Sequence, residues 1–226
     1  MSPGAYSVDG VFDALAVQPG RGEGRAVMFV SGRRGAGVTT FAAAVARAAT
    51  ARAVYAIDLD LKRNALARTL AGETRLGPKQ DGRMNGNAFY SVRGAHGAVL
   101  HEQTPAFSYH RVAASRILAG VFDARALPEG GRVVISSAPH YWDAVRFAGG
   151  LAVVDAPSLD RSRIGLRVAR QMDGVVLLVG GEKGDAPAAA AAKDALAAAG
   201  ANVIGLVYAG ATAPVMAIDR LLRHAG

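Results

Sequence analysis

The chain has no cysteine among its 226 residues, which excludes disulfides, thiolate metal sites and cysteine nucleophiles together. It has no uninterrupted apolar run of the ~18 residues that a membrane span needs, and residues 1–24 lack an apolar stretch behind a basic start. Neither a spanning helix nor a secretory leader is predicted, and a reducing cytoplasm is the expected setting. Acidic residues are in the minority, 18 against 26 lysines and arginines, giving a formal net charge of +8 and a pI near 10.3. That excess favours acidic partners such as DNA, anionic lipid heads or nucleotide phosphates, without choosing among them. What is present is ample apolar content: 51% hydrophobic against 19% charged residues fits one packed domain rather than a disordered chain.

The order of apolar segments predicts the architecture. Residues 1–25, with Pro3, Pro19 and several glycines, read as an arm or linker in which 8–17 forms a short docking helix. From 26 to 226 the pattern is that of one domain. Apolar runs at 26–30, 53–57, 133–135, 151–154, 175–179 and 203–207 look like strands covered on both faces, and 39–51, 161–172 and 188–199 look like helices between them. Alternating strands and helices predict an α/β fold, a mostly parallel twisted sheet with helices on both faces and ligands beyond the carboxyl ends of the strands. The interval of about 72–130 breaks this rhythm as an irregular insertion, with only a weak helical pattern around 112–122.

One further absence frames the chemistry. Residues 26–40 give a buried strand, then Gly32-Arg33-Arg34-Gly35-Ala36-Gly37, then Val38, Thr39 and Thr40 opening an alanine-rich helix. Glycine-rich backbone leading into a helix N-terminus aims N–H groups at an anion. The phosphate-contacting lysine of such a loop is missing, because Val38 stands at its position. The cradle is predicted to survive while phosphoryl transfer loses its main electrostatic stabilisation. Two other strand ends carry carboxylates toward the same sheet edge: Asp58 and Asp60 at alternate positions after 53–57, and Asp155 after 151–154. Carboxylates there hold Mg²⁺ or orient a water, with Thr39 offering a hydroxyl to the same ion. The alternative is that each aspartate caps a strand-to-helix turn.

These segments carry a resemblance. Ser31–Thr40 is similar to a Walker A loop, Ile57-Asp-Leu-Asp-Leu-Lys-Arg63 to the second Walker A-like strand end, and Val153-Val-Asp-Ala-Pro157 to Walker B, in the MinD/ParA group of P-loop ATPases. Within that group the chain looks closest to the tyrosine-kinase-like domains that work with membrane polysaccharide co-polymerases. The resemblance extends from Ala26 to about Val207 outside the irregular middle. It implies ATP or ADP with Mg²⁺ as ligand, bound by Gly32, Arg33, Arg34, Gly35, Ala36, Gly37, Val38, Thr39 and Thr40. It makes Thr39, Asp60 and Asp155 the Mg²⁺ ligands and Asp58 the catalytic, water-orienting acid of an active member. Arg33 falls where related proteins carry a lysine that reaches across a homodimer.

The departures are as informative. Besides Val38, Tyr208 stands where the family has an asparagine near the base, and 220–226 contain no tyrosine cluster. The resemblance therefore implies a pseudo-ATPase that is a regulatory or scaffold partner of a polysaccharide export complex, peripheral at the inner membrane through that partner. Two alternatives stay open: an active ATPase in which Arg33, Arg34 or Lys62 replaces the lysine, and a ParA- or TadZ-like positioning factor on non-specific DNA. For the latter, Arg161, Arg163, Arg167 and Arg170 form a basic series that would bind phosphates in a salt-dependent way or be a solvated helix face. His96, His101 and His110 do not have the spacing of a zinc site. Tyr141 and Trp142 are either a docking patch or loop packing, and 215–224 read as a short basic amphipathic helix that docks on the core or touches a membrane.

Overall fold

A computed structural model describes residues 8–20, 22–100, 105–182 and 184–208. The central element is an eight-stranded sheet formed by β1 (Arg25–Ser31), β2 (Val54–Asp58), β3 (Leu76–Asp81), β6 (Phe107–Val112), β7 (Ile117–Phe122), β9 (Leu151–Asp155), β10 (Gly174–Val179) and β11 (Val203–Tyr208). The strand order is β11-β10-β1-β9-β2-β7-β6-β3. The pairings from β11 through to β7 are parallel, and β6 and β3 extend the sheet antiparallel. This is the expected α/β architecture.

Alternation along β1 shows why the sheet needs cover on both faces. Ala26, Met28 and Val30 enter one apolar cluster and Val27 and Phe29 the other, all fully buried, the signature of an interior parallel strand. Helices α2 (Val38–Ala48) and α3 (Ala65–Ala71) supply buried residues to the Val27 face. Helix α4 (His140–Phe147) contributes Tyr141, Trp142 and Val145 to the other, and α6 (Asp185–Ala198) adds Ala192 and Leu196. Helix α1 (Asp9–Ala16) lies within the span predicted to form a short helix. It inserts Val11 and Leu15 into the Val27-face cluster, beside Ile204 of β11. Among the described residues no helix is long and apolar enough to cross a membrane.

Three expectations are corrected. Residues 112–122 are not helical but the turn and second strand of the β6–β7 hairpin; β6 alternates Phe107 and Tyr109 inward, and Ala113 with φ 43° makes the corner. The strand predicted at 133–135 exists as β8 (Arg132–Ile135), but it pairs with β4 (Tyr90–Arg93) in a separate three-stranded antiparallel sheet completed by β5 (Val99–Leu100). Only Ile135 of β8 is buried, so the segment is not covered on both faces. The helix expected at 161–172 is cut down to α5 (Ile164–Val168) followed by a 3₁₀ turn, because Arg161 and Ser162 donate their N–H groups to Ser158 in a preceding turn.

Tyr141 and Trp142 are 1% and 0% exposed, which rules out a docking patch and leaves packing. They meet Phe89, and the Tyr141 hydroxyl bonds to that of Tyr109. At the opposite end of the sheet from the glycine loop, the fully buried Arg146 donates to Asp173 at 2.9 Å, to Asp143 at 2.9 Å and to the Gln171 carbonyl. Asp173 in turn accepts the Ala26 N–H at 2.7 Å, so one charge cluster ties α4 to the start of β1.

Candidate functional site

Strand register brings the predicted carboxylates together. Asp58 pairs with Asp155 across β2 and β9, and Asp155 pairs with Phe29 across β9 and β1. The exits of the three strands are then laced by backbone bonds: Leu59 to Asp155 at 2.8 Å, Ala156 to Phe29 at 2.9 Å, and Leu159 to Ser31 at 2.9 Å. Two glycines shape the loop after β1. Gly35 and Gly37 have φ 94° and 75°, a region open to glycine at little cost, and Gly37 caps α2 directly. The eleven-residue α2 therefore points its N-terminus into a cavity of about 290 Å³, where its dipole favours an anion.

The cavity is lined by Arg34, Gly35, Ala36, Gly37, Val38, Thr39 and Thr40 from the loop and α2, with Asp58, Asp60 and Asp155 opposite. Gly32 and Arg33 are not part of the lining. A Cβ at Gly32 would lie 2.4 Å from the Ala188 carbonyl oxygen, so this glycine admits the close approach of α6. Arg33 faces Asp185 of α6 at 3.7 Å. Lys62 and Tyr208 also lie outside the lining, while Arg63, Ser158 and Arg161 belong to it and were not foreseen. Arg161 was visible in sequence only as one of a basic series; it is exposed like Arg163, Arg167 and Arg170, but of the four it alone lines the cavity.

Each carboxylate is engaged. Asp58 accepts the backbone N–H groups of Asp60 at 2.8 Å, Ala65 at 2.7 Å and Leu66 at 3.2 Å, holding the start of α3. Burial raises its pKa, and these three bonds oppose the rise. Asn64 adds a second clasp, exchanging two bonds with the backbone of Phe122 at the end of β7. Asp155 accepts the Thr39 hydroxyl; burial, then the charge of Asp58, pushes its pKa up to about 7, with Thr39 opposing. Asp60 meets Arg161 at 3.0 Å and Arg63 at 3.5 Å through one oxygen, Oδ2.

In this arrangement the three side chains expected to hold Mg²⁺ are each engaged with another side chain. Asp60 is turned to two guanidinium groups and Thr39 to Asp155. Among the described residues no group of three or more acidic or histidine side chains is disposed to hold a metal ion. His110 bonds Gly77 and Ser108, His96 is exposed, and His101 and the segment 215–224 lie outside the described residues.

The mostly parallel α/β fold has counterparts among known structures. The chimerical protein CapA2B2 superposes with a TM-score of 0.53 at 14% identity, covering 89% of this chain and 82% of that one. This chain shares the α/β fold of that protein. The kinase domain of Escherichia coli tyrosine kinase ETK matches at 0.46 and 16%, covering 85% of this chain and 71% of that one. A ParA family ATPase from Chlorobium tepidum TLS matches at 0.45 and 12%, covering 80% and 83%. No family model matches the sequence, and no curated protein is significantly similar to it. At these identities the likeness carries the fold, and function has to be argued from the site.

Proposed function

We propose that this protein is a degenerate P-loop ATPase that binds a phosphorylated ligand and acts through contact, with phosphoryl transfer lost. The observation that carries the reading is Val38 at the first position of α2, lining the cavity where the loop would otherwise present a lysine. Without that cation the transition-state charge on a transferring phosphoryl group is poorly stabilised. Asp58 supports the same reading, since its carboxylate is engaged by three backbone N–H groups of its own chain. The retained loop geometry supports binding. The sequence resemblance of 57–63 to the tyrosine-kinase-like branch supports a regulatory or scaffold role beside a membrane polysaccharide co-polymerase, with a homodimer as the functional unit.

The test is steady-state phosphate release from ATP with Mg²⁺ by the purified protein, together with co-purification against a polysaccharide co-polymerase. No release above background and a stable complex are expected; sustained release overturns the reading. A second reading, an active ATPase with a displaced cation, is favoured by Arg63 and Arg161 at the cavity, and the same assay separates the two. A DNA-positioning role draws on the exposed Arg163, Arg167 and Arg170, and salt-sensitive binding to random duplex would favour it.

A further inference from the structure

The cavity has Val38 at the loop position of a lysine and two arginines from other elements in its lining. Arg63 follows β2 and Arg161 follows β9, and both guanidinium groups converge on Asp60 Oδ2 at 3.5 and 3.0 Å. Their side chains are 51% and 34% exposed. Ion pairs this exposed are weak and screened, so either guanidinium can turn to a stronger acceptor at small cost. Guanidinium forks match phosphate oxygens bidentately, and both line the same cavity as the Gly35–Thr40 backbone and Arg34.

Resting on the phosphate-pocket reading above, we propose that the cavity takes a nucleoside diphosphate or triphosphate without a divalent metal, with Arg63 and Arg161 as the phosphate-gripping residues. In a metal-dependent P-loop site the carboxylates hold Mg²⁺ and the ion neutralises the phosphates. Here Asp60 is a counter-ion for arginine and Asp58 a clasp for α3, so the positive charge comes from side chains. The cavity lining holds three arginines against three aspartates, and a bound polyphosphate would replace Asp60 as the partner of two of them. Metal-independent binding also accords with a protein that has given up turnover, since the ion is needed chiefly where charge develops during transfer.

The test is calorimetric titration of the intact protein with ADP and with inorganic pyrophosphate, once in EDTA and once in Mg²⁺. Wild-type affinity is expected to agree between the two buffers within about twofold, and Arg63→Gln and Arg161→Gln each to weaken it by about tenfold. Asp60→Asn is the discriminating variant: affinity is retained or tightened if Asp60 is only a counter-ion, and lost if it is a metal ligand. Circular dichroism melts check that the variants fold. Binding that requires Mg²⁺, or that ignores both arginine changes, overturns this inference and leaves the pocket reading standing. Absence of binding by the wild type under every condition overturns both.

Discussion

Asp155→Asn isolates the electrostatic state of the site. In the folded protein the Asp155 carboxyl is displaced from 3.8 to about 7, first by burial and then by the charge of Asp58. A folded pKa above the unfolded one means that the native state holds its proton longer. The stability contribution is complete below the unfolded value and is lost as pH rises through about 7. Asparagine cannot titrate but still presents an oxygen to the Thr39 hydroxyl, so packing and that bond persist. Linkage over this interval gives a loss of ~2–3 kcal/mol in wild-type stability between pH 5 and pH 8 that the variant lacks. The assay is urea unfolding at both pH values, read as the change in midpoint at constant m. Parallel pH profiles for wild type and variant would refute the reasoning, because the carboxyl would then be no more costly to ionise in the fold than out of it.

Val38→Lys restores the loop cation and is expected to tighten ATP binding by about tenfold or more; unchanged affinity with an intact fold would count against the cradle shape of 35–40. Asp58→Ala removes the acceptor for three backbone N–H groups at the start of α3 and should cost ~1–2 kcal/mol by denaturant unfolding; a variant of full stability would contradict the clasp. Arg146→Met leaves Asp173 buried beside Ala26 with its cation gone, and a loss of ~3–5 kcal/mol is expected in the same measurement.

Much of the fold was legible because interior parallel strands are continuous apolar runs, and 26–30, 151–154 and 175–179 are runs of strand length rich in valine. Loop and strand-end motifs were legible for a related reason: the chain crosses the sheet edge where register puts Asp58 beside Asp155. The antiparallel strands of the middle region were hidden. Their half-buried faces mix glycine, histidine and arginine with aromatics, and 112–122 carries apolar residues at spacings that fit helix and hairpin alike. Gly32 illustrates a different limit. Sequence reads it as one more loop glycine, whereas its lack of a Cβ is demanded by α6 more than a hundred residues later. Arg63 and Arg161 were unreadable as a pair, since 101 residues separate the Arg161 guanidinium from the Asp60 oxygen that gathers both. Only the missing lysine hinted that the pocket's charge had to come from elsewhere.

Contact without turnover is tested most directly by a phosphorus NMR spectrum of ATP mixed with an equimolar amount of the purified protein and followed over hours. The account predicts phosphate resonances that are shifted or broadened at once and no growth of inorganic phosphate. Resonances identical to those of free ATP, or a steadily rising inorganic phosphate signal, would contradict it.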